Sequence, residues 1–299
     1  MGKVIFYFGG GNMRSVYGAG VVKGISERMP LSELFGKTRE FIVGSGGGIN
    51  VAGLVAGQPE IPGRVCREDL QKGFVSYYGA ISRIVRGFGR KFGLNCDVNS
   101  APNCVNINYL MDVLENKRKL DDGEIKSCPV PIMMKLFDVE KRRLRYQDIR
   151  EDPFKVIKKG VSIVPYYTSD SCEVDGDALV PLDINYLLEK RQTRDRIVIV
   201  LNYAPERKAK HSLKSWLERM VAEEVFPGIG KVIAEKDARF MENVRRIESA
   251  GRENILFVYP DKSDPTRSRT TDPKKLRISY EMGRRDAKRI VEFVRNGEN

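Results

Sequence analysis

Short apolar runs that stop at polar or turn-forming residues, each followed by a helical pattern, recur along this chain and leave few folds open to it. The runs fall at 4–8, 40–44, 130–138, 197–202 and 255–259, and the helical patterns at 16–28, 48–57, 108–116, 213–225 and 236–249. Runs rich in β-branched and aromatic residues, alternating with amphipathic helices, build a largely parallel sheet buried on both faces. Leu144-Arg145-Tyr146, after Lys141-Arg142-Arg143, reads as the return strand of a hairpin from 130–138. The Pro/Asp/Arg-rich stretch 260–273 reads as a long loop before a last helix, 273–295. That helix has Pro273 in its first turn, and Leu276, Tyr280, Ala287, Ile290, Val291 and Val294 along one side. At 299 residues the chain can form one large domain or two small ones, and no linker divides it.

Two glycine-rich turns follow the first two strands. Gly9-Gly10-Gly11-Asn12-Met13-Arg14 comes directly after 4–8. Glycines let successive N–H groups point into one space, and the helix starting near Ser15 adds its positive end, so the loop is an anion nest. In an acyl-transfer enzyme it would hold an oxyanion about 3 Å from its donors. A dinucleotide fingerprint fits poorly because Arg14 stands at the third glycine position, and no Gly-Lys-Ser/Thr closes a P-loop. The second turn is Val43-Gly44-Ser45-Gly46-Gly47-Gly48-Ile49-Asn50. A strand that turns through Ser into a helix can expose one hydroxyl, with Gly44, Gly46 and Gly47 leaving room for substrate. Taken alone, the same turn also reads as a phosphate loop or a plain strand–helix turn with an incidental Ser.

The scarcity of histidine narrows the chemistry. His211, the one histidine, lies among charges in Lys208-Ala209-Lys210-His211-Ser212, where a surface or helix-cap position is expected. A nucleophilic Ser45 therefore needs another proton acceptor. Asp175 is the best-placed carboxylate, at the end of a short strand in Glu173-Val174-Asp175-Gly176-Asp177, although Asp-Gly is also a hairpin signal. This gives a Ser45–Asp175 dyad. The five cysteines, Cys66, Cys96, Cys104, Cys128 and Cys172, show no CxxC spacing and read as reduced structural thiols of a cytosolic protein, with no metal site expected. No apolar run is long enough for a transmembrane helix.

These blocks resemble the patatin-like phospholipases, in particular the bacterial-type members. The oxyanion block is Gly9 to Arg14 followed by Tyr17-Gly18-Ala19-Gly20. The elbow block is Ser45 to Asn50 with Gly57-Gln58 beyond, and the acid block is Asp175-Gly176 with Pro181. The resemblance implies a three-layer α/β sandwich, with a catalytic domain over 1–190 and an α/β extension over 191–299 on the same sheet. It also implies a lipid acyl hydrolase with Ser45 as nucleophile and Asp175 as base. The oxyanion would sit on Gly9, Gly10 and Gly11 with help from Arg14, and no cofactor is needed. The substrate would be a lipid or other acyl ester. Two residues depart from the family pattern. Val43 stands where the elbow usually has Gly, and Asp177 where the acid motif has a small residue. They keep open a second reading, a catalytically weak or inactive lipid- or anion-binding protein on the same fold.

The net charge of +12 suits an anionic membrane or nucleic acid, but no nucleic-acid motif accompanies it. Residues 74–93 are basic and aromatic. On a helix, Arg83, Arg86 and Arg90 would share one face and Ile81, Ile84, Val85 and Phe88 the other, so the segment reads as a cap over the cleft or as a helix in a lipid interface. Peripheral contact of a cytoplasmic protein with an anionic membrane follows as an expectation.

Overall fold

The computed structural model describes residues 2–91, 97, 101–167, 171–205, 213–249 and 252–296; His211, Cys96 and the end of the basic segment at 92–93 lie outside the described residues. Seven strands form one sheet: β1 (Val4–Phe8), β2 (Thr38–Val43), β3 (Ile132–Asp138), β4 (Arg143–Asp148), β5 (Glu173–Asp175), β6 (Arg196–Val200) and β7 (Ile255–Val258). Their order is β4-β3-β2-β1-β6-β7, with β5 paired to β3. The pairs β1–β2, β1–β6, β2–β3 and β6–β7 are parallel, while β4 and β5 run antiparallel to β3. The hairpin expected at 130–146 is therefore present, and β6 and β7 extend the sheet directly beside β1.

Alternation along β1 shows why the sheet is covered twice. Val4, Phe6 and Phe8 enter the core formed with the first helix (Val16–Ser26), the elbow helix (Gly46–Val55) and the last helix (Pro273–Arg295). Ile5 and Tyr7 enter the opposite core, with Leu187, Phe240, Val244 and Ile247. Both strand faces are thus apolar, as parallel strands under two helical layers require. The apolar side of the last helix is buried at Leu276, Tyr280, Ala287, Ile290, Val291 and Val294, as its pattern indicates.

One pairing detail positions the site. β2 runs beside β3 only as far as Val43 opposite Met134. β5 pairs antiparallel to β3 with Asp175 opposite Leu136, while β4 occupies the other edge of β3 throughout. β5 therefore lies on the β2 side of β3 and meets the end of β2 head-on. The Ser45 turn and Asp175, 130 positions apart in sequence, arrive at one place for that reason.

The basic segment folds differently from its expected facing. Its helix spans Tyr77–Lys91, and Arg83 is only 2% exposed. The Arg83 guanidinium donates to the carbonyls of Ala101, Pro102 and Pro165 and to Asn103 Oδ1 at 2.7–3.3 Å. Ile84 packs beside Met220 and Val221, whereas Tyr78, Ile81 and Val85 are 72%, 62% and 62% exposed. A buried guanidinium is tolerated when its donors find acceptors, and these four bonds engage all three of its nitrogens. Arg83 thus turns inward instead of sharing a solvated face with Arg86 and Arg90, and Ile81 and Val85 point outward while Ile84 packs inward.

Candidate active site

Ser45 stands between β2 and the elbow helix with φ 50° and ψ −133°. This positive φ is uncommon for a residue with a side chain and carries a strain of about 1–3 kcal/mol. The strain falls on Ser45 itself. Val43, which stands where the family elbow usually has Gly, is an ordinary buried strand residue two positions earlier, beside Phe8 and Met134. The turn is held from below: Gly47 N–H donates to the Gly44 carbonyl at 2.9 Å and Gly48 N–H to the Ser45 carbonyl at 3.0 Å. A Cβ on Gly47 would collide with the Phe8 carbonyl, so the elbow helix sits directly on the end of β1.

Asp175 caps the short helix Gly176–Leu179. Its Oδ1 accepts from the Asp177 and Ala178 N–H groups at 2.9 and 3.0 Å. Both bonds go to one oxygen, which fixes the carboxyl plane. The other oxygen, Oδ2, is buried with no hydrogen-bond partner. The Ser45 hydroxyl lies close enough to the Asp175 carboxyl to favour its ionised form. A hydroxyl just outside bonding geometry still presents its dipole, and such contacts are often loose in unliganded sites. Burial, and then the charge of Asp177, push the Asp175 carboxyl up to about 7.

Asp177 does not face solvent. It is buried and paired with Lys135 of β3, and it accepts from the Tyr7 hydroxyl and, at 2.6 Å, from Gly10 N–H. Lys135, Tyr7 and Gly10 hold its carboxyl below the usual range in spite of burial. It therefore stays ionised while Asp175, next to it, titrates near neutrality. Two carboxyls driven apart by their surroundings are a mark of acid–base sites.

The glycine loop corrects one expectation. Gly9 N–H donates to the Val200 carbonyl at 2.9 Å as part of the sheet, and Gly10 N–H is taken by Asp177. Neither is available to an oxyanion. Among the described residues the N–H groups of Gly11 and of Gly46, the residue after Ser45, have no acceptor. Arg14 lines the same cavity, its guanidinium 6.0 Å from the centre of the Tyr203 ring. Asn202, just after β6, pins the loop: its Nδ2 donates to the Gly9 carbonyl at 2.6 Å and its Oδ1 accepts from Gly18 N–H at 2.9 Å. Asn50 Nδ2 reaches the Ser15 carbonyl at 3.0 Å.

Ser45 opens to two spaces. One is a cavity of about 240 Å³ bordered by Gly11, Arg14, Asp175, Tyr166, Lys236 and Arg269. The other is a narrow slot of about 40 Å³ running under the elbow, walled by Met13, Ile49, Leu70, Phe74, Leu110 and Ile163. The first is mixed in polarity and the second almost wholly apolar. Among the described residues no three His, Cys, Asp or Glu side chains gather as metal ligands would, and no helix is long and apolar enough to cross a membrane.

No family model matches the chain, and no curated protein aligns with it. Among solved structures it is similar to VipD from Legionella pneumophila, at 9% sequence identity and a TM-score of 0.47. That alignment covers 99% of this chain and 67% of the other.

Three residues that shape the site escape a reading of the sequence: Tyr7, Lys135 and Asn202. Lys135 did leave a trace, as the one charge inside the apolar run Ile132-Met133-Met134-Lys135-Leu136-Phe137. Asn202 stands just past the carboxyl end of a central parallel strand, where ligands gather in open α/β sheets.

Proposed function

We propose that the chain is a serine acyl hydrolase of the patatin-like type, cleaving fatty-acyl ester bonds of phospholipids, lysophospholipids or related lipids. The observation that carries this is the buried, unpartnered Oδ2 of Asp175, on a carboxyl fixed in orientation close to a hydroxyl displayed on a strained elbow. Asp175 takes the Ser45 proton as Oγ attacks the ester carbonyl. The resulting oxyanion lies toward the Gly11 and Gly46 N–H groups and Arg14. The alcohol leaves with the proton carried by Asp175. Water, deprotonated by the same carboxylate, then cleaves the acyl-enzyme and regenerates Ser45. The apolar slot under the elbow suits the acyl chain, and the polar cavity suits the rest of the ester.

A fluorophosphonate probe tests the assignment. Labelling at pH 8 should place the adduct on the tryptic peptide containing Ser45, read by mass spectrometry, and labelling should fade at pH 5, where Asp175 is protonated. No adduct together with no hydrolysis of short acyl esters would leave the second reading, a lipid-binding protein without turnover.

Tyr78, Ile81 and Val85 are exposed on the helix that follows Val75 and Ser76, two residues of the cavity wall. A basic protein with exposed aromatic and aliphatic side chains on that helix suits an anionic lipid surface. Replacing Ile81 and Val85 by Ser should weaken cosedimentation with phosphatidylglycerol vesicles by about tenfold or more, given about 1.5–3 kcal/mol for full burial of each side chain. Unchanged partitioning would remove the membrane from this reading without touching the chemistry.

A further inference from the structure

We propose that Lys135 and Asp177 form a buried positioning pair. Asp177 draws the glycine loop against Ser45 through the Gly10 N–H and holds a fixed negative charge beside Asp175. This rests on Ser45 and Asp175 acting as described above.

The pair is completely connected. Asp177 Oδ2 accepts from Gly10 N–H, and Oδ1 from Tyr7 and Lys135. Lys135 Nζ also donates to the Tyr7 hydroxyl and the Val180 carbonyl, each at 2.9 Å. The Tyr7 hydroxyl in turn accepts from Leu182 N–H at 3.0 Å. All three ammonium protons therefore have acceptors, and the chain on both sides of Pro181 is tied to β1 and β3. Such pairs add little stability over apolar replacements, so what this one contributes lies in what it places. It places two things. A Cβ on Gly10 would fall on Ser45, so the Asp177–Gly10 bond sets how closely the loop, and with it Gly11, approaches the nucleophile. Asp177 also packs against Gly44 on the other side of the elbow, which fixes the distance from its charge to Asp175.

Charge at Asp175 is felt from few sources. Asp177 is the charged group that moves it, while the Ser45 hydroxyl and the two capping N–H groups oppose that effect. Lys135 faces Asp177 from β3. Tyr7 faces it from β1 and stays neutral, because burial and Asp177 push its phenol well up. Arg14 on the glycine loop, Lys236 and Asp237 on the helix Ile229–Ser249, and Arg269 on the loop before the last helix are the other charged groups on the cavity wall. A base that must be ionised gains from a neighbouring anion only in strength; the same anion moves its working range to higher pH.

The test is the pH profile of kcat/KM for p-nitrophenyl butyrate, with the full chain, in wild type, Asp177→Asn and Lys135→Met/Asp177→Asn. The double variant removes both charges and leaves an amide oxygen for Gly10, which protects against misfolding from an unpaired lysine. In both, the acid limb should move to lower pH, and the plateau should drop by about tenfold because the amide holds Gly10 by a neutral bond, weaker than the charge-assisted one it replaces. A carbon-13 titration of the Asp175 carboxyl, assigned with Asp175→Asn, should show the same downward move without any turnover. A wild type that neither hydrolyses nor labels, with the Asp175 titration still moving, overturns the hydrolase and supports the pair. An active wild type whose acid limb, plateau and Asp175 titration are unchanged in both variants overturns the pair and leaves the hydrolase standing.

Discussion

Ser45→Ala and Asp175→Asn are each expected to lower kcat for acyl-ester hydrolysis by about 10⁴-fold, and the double variant to lower it little further. Groups that act as one unit lose most of their effect when either is removed. The alanine variant has no nucleophile. The asparagine variant keeps the amide oxygen that caps Gly176–Leu179, so it keeps the geometry and loses only the proton acceptor. Circular dichroism should therefore match the wild type while turnover is gone, and Tm should match it near pH 4 and exceed it at pH 8, where the wild type carries a buried charge. The wild-type rate should climb with pH through about 7, because the base works as the carboxylate. At pH 5, two units lower, only about one molecule in a hundred has it ionised. Stability runs the other way. Asp175 binds a proton more tightly folded than unfolded, so its contribution is fully present at acid pH and is lost as pH rises from about 4 through about 7. Asp175→Asn should remove that part of the pH dependence. A variant that keeps wild-type turnover would show that the base lies elsewhere.

What could be read in advance was what is local in the chain. β1, its glycine loop, the Gly44-Ser45-Gly46 turn and the short strand ending at Asp175 each declare themselves within about ten residues. The proposed pairing of Ser45 with Asp175 follows from the place of the single histidine, His211, among charges and away from every motif. Which strands lie side by side is a long-range matter, and the roles of Tyr7, Lys135 and Asn202 depend on it. The same limit explains the glycine loop. Its N–H groups looked like three donors, but Gly9 is taken by β6 and Gly10 by Asp177, neither of them near in sequence. The facing of the helix Tyr77–Lys91 is hidden for a different reason: its buried side carries Gly79, Arg83 and Gly87, four residues apart, so an arginine and not an apolar stripe marks it. A Cβ on Gly79 would strike the Asn103 backbone, and one on Gly87 would press on Val221 at 3.3 Å. Glycines at helical spacing mark close approach here.

Close approach also decides the expected behaviour of the first and last helices. A Cβ on Gly20 would land on the Tyr280 carbonyl, and one on Gly283 on the Tyr17 carbonyl, so the two helices touch backbone to backbone at both points. Helix propensity alone makes Gly→Ala in a helix interior favourable by about 1 kcal/mol. Overpacking usually costs about 1–3 kcal/mol, and more where the obstacle is backbone that cannot rotate away. The clash wins. Gly20→Ala and Gly283→Ala should each destabilise by about 3 kcal/mol, lowering Tm by roughly 6–12 °C at about 2–4 °C per kcal/mol. Gly36→Ala is the control of opposite sign: it lies in the helix Leu31–Lys37 with nothing within 4 Å, and should leave Tm unchanged or slightly raised. The first helix continues from the glycine loop, so forcing it off the last helix should also shift Gly11 and Arg14 relative to Ser45. The two clashing variants, assayed well below their Tm, should then lose activity beyond the unfolded fraction, and Gly36→Ala should not. A rise in Tm for all three would mean that the helices are not in backbone contact.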